Sequence, residues 1–472
     1  MADVPADYFA ELWAALDADH GLLSSSPSAD RINLIAAAKT ALGSAGITSD
    51  LRKWVGTNKD RFIFAAIAID NWYEPIGRCK GNRVGLPLHM SEVFDDYIAT
   101  SRLNGPGGAR VILRRPFWGS WADSAVDIPL PGELSAYFVS LMSLPDEIAS
   151  TCPDDSTAPS SVRLKFRIGR SADSKAIGGA TWKVGIAPLA QLSGDIKFER
   201  NLDGTLASYD AQVADFSNRI QEVIDTLCRA GCHIIAFPEM AVHENTFASL
   251  GAIIRKFGAD SNLSLVLAGT TRTTNGSGKP YNRCTIFNHR GDIVLQQNKL
   301  TRWNLDASLC SRFGFDPGGD GMYYEHITVG SEVHIVEERD IGRFAALICE
   351  DLSRTQPGQW LRNNMLLDLQ FTPVLDADLH HDKWEANFGG KAVLAGGCRV
   401  IVTNSMPLTY CQNETNRKNK AMKYVVTDSG IGLAVDRVGD KVRVKVLRAP
   451  LGSAGHEAQY FDWEPTKWQD LA

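Results

Sequence analysis

From Thr181 onward the chain alternates short aliphatic runs with stretches of helical periodicity, and this alternation restricts its possible folds more than any other feature. The runs WKVGIAPL, HIIAF, LSLVLAG, TIFNHRGDIVL, FAALI and RVIVTN follow one another in that order. Each is short, rich in Val, Ile and Leu, and apolar on both sides, as a strand buried on both faces must be. Between the first two, AQVADFSNRIQEVIDTLCRAG places Val213, Phe216, Ile220, Val223, Ile224 and Leu227 on one helical stripe, with Gly231 positioned to end the helix. The pattern predicts an α/β domain over residues 181–472. No internal repeat occurs at solenoid periods.

The chain has 472 residues, beyond the ~250–300 at which single cores stop growing, so more than one domain is expected. Residues 1–150 read as a separate, mostly helical domain of unassigned role. YFAELWAAL sets Phe9, Leu12, Trp13 and Leu16 on one helical face, and INLIAAAKTAL does the same with Ile32, Ile35, Ala38 and Leu42. TCPDDSTAPSS, rich in Pro, Ser and Asp and without periodicity, marks a linker placed at residues 151–180. The strand-like VRLKFRIGR inside that stretch is compatible with either flank.

The formal net charge is -6, with Lys and Arg dispersed. Such a chain has no basic patch for nucleic acid or an anionic membrane, so neither is an expected partner. The opening MADVPADYFAELWAALDADH is acidic and lacks a basic leader with an apolar core, so no secretory signal is expected. No apolar run approaches the ~20 residues of a spanning helix. The nine cysteines are odd in number and contain no C-x-x-C pair, a usage suited to free thiols in a reducing compartment. The expected location is the cytoplasm, where the NET sequon at Asn413 has no meaning.

In parallel sheets reactive side chains gather at the carboxyl ends of strands, where backbone pairing stops and side chains face a crevice. Three predicted strand ends carry suitable groups. IIAFPEM delivers Glu239, GDIVLQQNKL delivers Lys299, and FAALICED delivers Cys349. Together they supply a base, a cation and a nucleophile. A free thiol is only a few per cent ionised at neutral pH, so an acceptor for its proton and a neighbouring cation both matter. Glu239 could take that proton, and Lys299 could stabilise the thiolate and then an oxyanion. The backbone amide of Glu350 follows the nucleophile and is placed to aid the same oxyanion. Taken singly, each has a plainer reading: a buried small hydrophobe, a helix-starting carboxylate, a solvated lysine.

Taken jointly, these blocks resemble the carbon-nitrogen hydrolase, or nitrilase, superfamily from about Trp182 to Val446, and in particular its amidase and glutaminase branch. WKVGIAPL resembles the family's opening strand. AGCHIIAFPEM resembles the block bearing the general base, here Glu239. YNRCTIFNHRGDIVLQQNKL is similar to the strand pair leading to the catalytic lysine, here Lys299. GRFAALICEDLSR resembles the nucleophile block, which makes Cys349 the nucleophile, and KAVLAGGCRVIVTNSM is similar to a late helix and strand. The resemblance implies a four-layer α-β-β-α sandwich that often pairs into a homodimer or higher homo-oligomer. It implies hydrolysis of a non-peptide carbon–nitrogen bond through a cysteine thioester, with no metal and no cofactor. It also implies a second Glu between Lys and Cys, for which Glu325 in YYEHITVG is the candidate.

Glu350 and Asp351 after the cysteine are similar to glutaminase-type amidases, whereas nitrilases more often show Trp-Glu-Asn; this favours an amide over a nitrile. Lys391 stands where the family often has Arg, with Arg399 further on, and no binding role is carried over to either. The Gly-rich TRWNLDASLCSRFGFDPGGDGMY is expected to line or cover the pocket. Two other readings keep the fold: an acyltransferase or nitrilase with the same triad, and a sensor or assembly module, partner-gated or non-catalytic, in which the N-terminal domain contacts a protein partner.

Three further signals are set aside. NGSGKPYN lacks the leading Gly of a phosphate loop and has Pro280 where Ser or Thr is needed. His380 and His381 are adjacent, with no further ligand at metal spacing. Cys228 and Cys232 lie one helical turn apart, against the strand leading to Glu239, and packing accounts for them.

Overall fold

The computed structural model describes residues 5–18, 28–44, 46, 48–78, 111–113, 141–150, 159–168, 182–203, 206–274, 279–315, 323–338, 341–379, 383–384, 389–390, 393, 398–438, 441–451 and 458–470. The chain begins with helices α1 (Pro5–Ala18), α2 (Ser28–Leu42), α3 (Thr48–Val55) and α4 (Phe62–Arg78). Phe9, Leu12 and Leu16 of α1 and Ala38 and Leu42 of α2 are buried as their spacing predicts, but Ile32 is 76% exposed. The packed face of α2 therefore starts with Leu34 and Ile35. Short strands β1 (Val111–Leu113) and β2 (Leu141–Ser143) pair antiparallel, followed by β3 (Glu147–Ala149) and β4 (Ser161–Ile168).

The remaining strands, in order, are β5 (Lys183–Ile186), β6 (Ile196–Asp203), β7 (Leu206–Val213), β8 (Ile234–Ala236), β9 (Leu265–Thr273), β10 (Tyr281–Asn288), β11 (Ile293–Asn298), β12 (Asn304–Leu305), β13 (Tyr323–Glu325), β14 (Glu332–Glu338), β15 (Gly342–Ala346), β16 (Leu369–Val374), β17 (Arg399–Asn404), β18 (Asp428–Val438), β19 (Lys441–Pro450), β20 (Gln459–Asp462) and β21 (Gln469–Asp470). Helices α5 (Ser217–Arg229), α6 (Glu244–Gly258), α7 (Ala307–Phe313), α8 (Glu350–Ser353), α9 (Trp360–Asn364) and α10 (Pro407–Lys418) lie between them.

Two large sheets organise the α/β part. One has the order β11-β10-β9-β8-β5-β20, the other β21-β19-β18-β17-β16-β15-β14-β4-β3. A smaller sheet, β12-β13-β7-β6, stands beside them. Side-chain alternation shows how they stack. Along β8, Ile234 and Ala236 join a core shared with Phe344, Phe371, Val400 and Leu433 of the larger sheet. The intervening Ile235, with Phe237 just beyond, packs against Ile220, Val223, Leu227, Leu250 and Ile254 of α5 and α6. The period of two thus gives β8 one face toward a sheet and one toward helices.

The second sheet is also covered on both sides. On β18, Gly432 faces the first sheet so closely that a Cβ there would lie 2.5 Å from Ile186 Cδ1. Val435, an odd number of residues on, meets Gly389 from the other side. Helix, sheet, sheet and helical segments therefore form the four layers that the resemblance implies. The interior is held by burial of its aliphatic side chains, each worth about 1.5–3 kcal/mol when fully removed from water.

One boundary differs from expectation. Residues up to Val213, read as the start of a helix, belong instead to β7, because Val213 pairs with Ile196 across an antiparallel ladder; α5 begins at Ser217. Gly231 does follow that helix with φ 79°, and its amide returns to the Cys228 carbonyl. VRLKFRIGR, read as strand-like within the stretch placed as a linker, does form a strand: residues 161–168 are β4, which pairs in parallel with β14 as part of the larger sheet. His380, His381 and Lys391 lie outside the described residues. Among the described residues no group of His, Cys, Asp and Glu is arranged to hold a metal, and no helix is long and apolar enough to cross a membrane.

Candidate active site

β8, β11 and β15 all end at one cleft, and each ending has a local cause. Pro238 cannot donate to a ladder and stops β8. The turn beyond it is held from both sides: the Met240 amide donates to Thr270 Oγ1 at 2.8 Å, and Ser405 Oγ donates to the Glu239 carbonyl at 3.3 Å. Gly269 on β9 makes room for this turn. Its φ is 65°, and a Cβ there would sit 2.0 Å from the Pro238 carbonyl oxygen.

Lys299 follows β11 directly across from Asn282 on β10, to whose carbonyl its amide donates at 2.8 Å. Cross-strand partners share a face, so both side chains enter the cleft side of the sheet. Glu325 ends β13, and its amide is held by the Trp303 carbonyl at 3.0 Å.

Cys349 occupies a sharp turn between β15 and α8, with φ 49° and ψ −108°. A non-glycine residue in this region carries backbone strain of about 1–3 kcal/mol and is held there by its surroundings. Here the Cys349 amide donates to the Pro373 carbonyl at 3.0 Å, while the Asp351 amide returns to Ile348. The buried Asp351 carboxylate accepts the amides of Leu300 and Thr301 and the Thr301 hydroxyl at 2.5–3.1 Å. The turn bearing the sulfur is thereby tied to the residues that follow Lys299.

The resulting group is compact. Lys299 Nζ lies 2.7 Å from Glu239 Oε1 and 2.7 Å from Glu325 Oε2. Asn282 Nδ2 donates to Glu239 Oε1 at 2.8 Å and to Glu325 Oε1 at 2.9 Å. Trp303 adds its backbone amide to Glu325 Oε2 at 3.3 Å. Glu239, Lys299, Glu325 and Cys349 line one cleft together with Phe198, Met240, Trp303 and Leu375. The structure therefore brings the three predicted residues and Glu325 together. Glu350 does not line it: its carboxylate turns to Arg354 at 3.3 Å and to the Ser353 hydroxyl. Its backbone amide, the first of α8, has no partner within that helix.

Burial dominates the electrostatics. It pushes the Cys349 thiol well above its ordinary range, Glu239's negative charge adds to this, and Lys299 opposes it. Burial also raises Glu239; Lys299 pulls it down, Glu325 pushes it up, and a hydrogen bond from Cys349 lowers it. For Lys299, burial alone would favour the neutral amine, but the carboxylates of Glu239 and Glu325 outweigh it and hold the ammonium protonated. The site thus sets a thiol whose ionisation burial opposes beside an ammonium held by the side chains of Glu239 and Glu325.

Asn282, Trp303, Phe198, Met240 and Leu375 were not singled out from the sequence. For Asn282 a signal existed: once YNRCTIF and IVLQQNK pair as a hairpin, register alone puts Asn282 opposite Lys299. Lys383, anchored on Asp376 at 2.8 Å, adds a second positive charge in the surroundings of Cys349. The other buried cysteines are packing residues, as expected for Cys228 and Cys232: both join the core beneath α5, where burial pushes the Cys232 thiol up to about 12.

No family model matches the chain, and no curated protein matches it. Among solved structures, Nit3 of Saccharomyces cerevisiae, a member of branch 10 of the nitrilase superfamily, aligns at 13% identity and a TM-score of 0.37, covering 61% of this chain and 91% of that one. An amidase from Nesterenkonia sp. aligns at 11% identity and a TM-score of 0.37, with 61% and 91% covered. The glutamine-dependent NAD+ synthetase of Acinetobacter baumannii aligns at 14% identity and a TM-score of 0.35, covering 61% of this chain and 46% of that one. The likeness to nitrilase-superfamily structures extends over about three-fifths of the chain at these low identities.

Proposed function

We propose that the chain is a thiol-dependent hydrolase of non-peptide carbon–nitrogen bonds, acting on a small-molecule amide. The observation that carries this reading is the convergence of Glu239, Lys299 and Cys349 on one cleft, with Lys299 Nζ 2.7 Å from Glu239.

The occupancy of the carboxylate oxygens divides the roles. Glu325 has donors on both oxygens: Asn282 on Oε1, Lys299 and Trp303 on Oε2. Glu239 receives Lys299 and Asn282 on Oε1, and its hydrogen bond with Cys349 leaves it as the acceptor for the thiol proton. Glu239 is the base in this reading, and Glu325 orients Lys299. An ammonium has three donors; two meet the carboxylates, and the third can meet an oxyanion.

The steps follow. Cys349 Sγ attacks the amide carbonyl as its proton passes to Glu239; the carbonyl oxygen becomes an oxyanion held by Lys299 and the Glu350 amide. Collapse breaks the C–N bond, and Glu239 gives the proton to the departing nitrogen, leaving a thioester and ammonia or an amine. Water then attacks the thioester as Glu239 takes its proton. The C–S bond breaks, the sulfur regains its proton from Glu239, and a carboxylic acid leaves. Because the thiol is neutral at rest, its deprotonation is coupled to attack, and a base with a raised pKa suits that transfer.

The test is to incubate the protein with a panel of amides and nitriles while following ammonia release and the mass of the peptide containing Cys349. An acyl adduct on Cys349 with ammonia release, both lost in a folded Cys349→Ala variant, is the expected result. Undiminished ammonia release by that variant overturns the reading.

A second reading is favoured by one contact: β3 packs on residues 355–359, just beyond α8, the helix that follows Cys349. Through it the preceding part of the chain could gate the site in response to a protein partner. Turnover that appears only when a copurifying protein is added would select this reading over an autonomous enzyme.

A further inference from the structure

Lys299 is not the only group that joins the two carboxylates. Asn282 is fully buried, and its single side-chain NH₂ donates to Glu239 Oε1 at 2.8 Å and Glu325 Oε1 at 2.9 Å. Rotating the amide by half a turn would aim its oxygen at two carboxylates, so the donors fix its orientation. The consequence is visible on the other side: Asn282 Oδ1 is buried without a hydrogen-bond partner. An unmet buried acceptor costs about 1–3 kcal/mol, and an apolar side chain of the same size would avoid that loss. A fold selected for stability alone has no reason to place an amide here; a fold that must hold two carboxylates in fixed orientations does.

We propose that Asn282 is a positioning residue of the hydrolytic site: by occupying Oε1 of Glu239 and Oε1 of Glu325 together, it keeps Glu239 ionised and turned toward the Cys349 sulfur. The inference deepens the hydrolase reading and rests on Glu239 being the base. Without Asn282, Glu239 keeps Lys299 as a donor but loses the second hydrogen bond to its charged form, and it is free to rotate. A lost donor favours the protonated acid, so the proton acceptor is available only at higher pH.

The groups facing Glu239 are Lys299, Glu325 and Cys349. Asp351 lies in the field of Lys299, Lys383 and Glu350 in that of Cys349, and Arg272, the cross-strand neighbour of Asn282 on β9, in that of Glu325. Of these groups only Glu325 loses a contact in an Asn282 variant, its Oε1 donor, so a shift reports on the amide that joins the two carboxylates.

The experiment needs no substrate. Alkylation of Cys349 by iodoacetamide is followed by peptide mass spectrometry from pH 5 to pH 9 in the full-length wild type, Asn282→Leu and Asn282→Ser, with thermal unfolding of each. The wild type is expected to show an acid limb from the coupled Glu239–Cys349 pair. Asn282→Leu should move that limb up by about one pH unit, equivalent to a tenfold slower reaction on the limb. Asn282→Ser, which keeps one donor, should shift it less and serves if the Leu variant does not fold. An unmoved limb in a folded variant, with only the melting temperature changed, makes Asn282 structural and overturns the inference. If wild-type Cys349 shows no such limb and reacts no faster than the other buried cysteines, the hydrolase reading itself fails, a distinct result.

Discussion

Asp351 reaches back from the turn that follows Cys349 to accept the amides of Leu300 and Thr301, the two residues that follow Lys299. One carboxylate thus ties the turn that bears Cys349 to the segment that bears Lys299. In Asp351→Ala both amides and the Thr301 hydroxyl lose their acceptor in a buried place, which should cost about 3 kcal/mol in urea unfolding. The site should also loosen: a displacement near 1 Å can cost ~100-fold in rate. Alkylation of Cys349 at the wild-type rate in this variant would show that Asp351 supports the fold without setting the site.

Lys299 should behave as a buried ion with two counter-ions. Lys299→Met leaves Glu239 and Glu325 facing each other without the ammonium, and is expected to lose about 3–5 kcal/mol of stability along with activity. Adding Glu239→Gln and Glu325→Gln removes the uncompensated charge, so the triple variant should recover most of that stability while staying inactive. Equal stability of the single and triple variants by urea unfolding would contradict the charge argument.

Away from the cleft, Asp368 gives stability a pH dependence. Burial pushes its carboxyl up to about 7 from an ordinary value of 3.8, despite the Arg343 amide it accepts at 2.7 Å and the Arg343 charge. The folded state therefore holds this proton more tightly than the unfolded chain. Its stabilising effect is complete below about pH 4 and is lost as pH rises toward 7, at about 1.4 kcal/mol per pH unit within that window. Asp368→Asn should lack this slope. Unfolding by urea at pH 5 and pH 7 in both proteins measures it, and parallel losses in the two would refute the assignment.

The turn bearing Glu239 depends on space rather than charge. In Gly269→Ala a methyl group would meet the Pro238 carbonyl at 2.0 Å in a backbone conformation already unfavourable for alanine. Overpacking of this kind costs about 1–3 kcal/mol, and relieving it means shifting β9 or the backbone of Phe237 and Pro238, next to Glu239. Activity should fall further than stability; an active Gly269→Ala protein would show that the turn tolerates the shift.

Much of this arrangement is legible in the text because strand ends are punctuated. Pro238 stops a run just before Glu239, and acidic residues stop another just after Cys349. The aliphatic runs that become β5, β8, β9, β15 and β17 are too apolar to lie anywhere but inside. What was not legible depends on pairing between distant segments. β7 has a helical arrangement of apolar residues at its end, and only the ladder with β6 makes Val213 a strand residue. Asn282 looks like an ordinary polar strand residue until register sets it against Lys299. Ile32 has the right spacing for a buried face, but α2 turns that position to solvent. In each case the deciding partner lies outside the local window.

The parallel pairing of β4 with β14 has a practical meaning for anyone who would divide this chain. A cut at residue 181, where composition suggests a boundary, strips β4 from the sheet and bares the flank of β14 with its row of unsatisfied amides and carbonyls. Because β14 carries buried Val333, Ile335 and Val336, that flank would be a sticky template for self-association. A fragment that keeps the larger sheet whole has to begin ahead of Glu147.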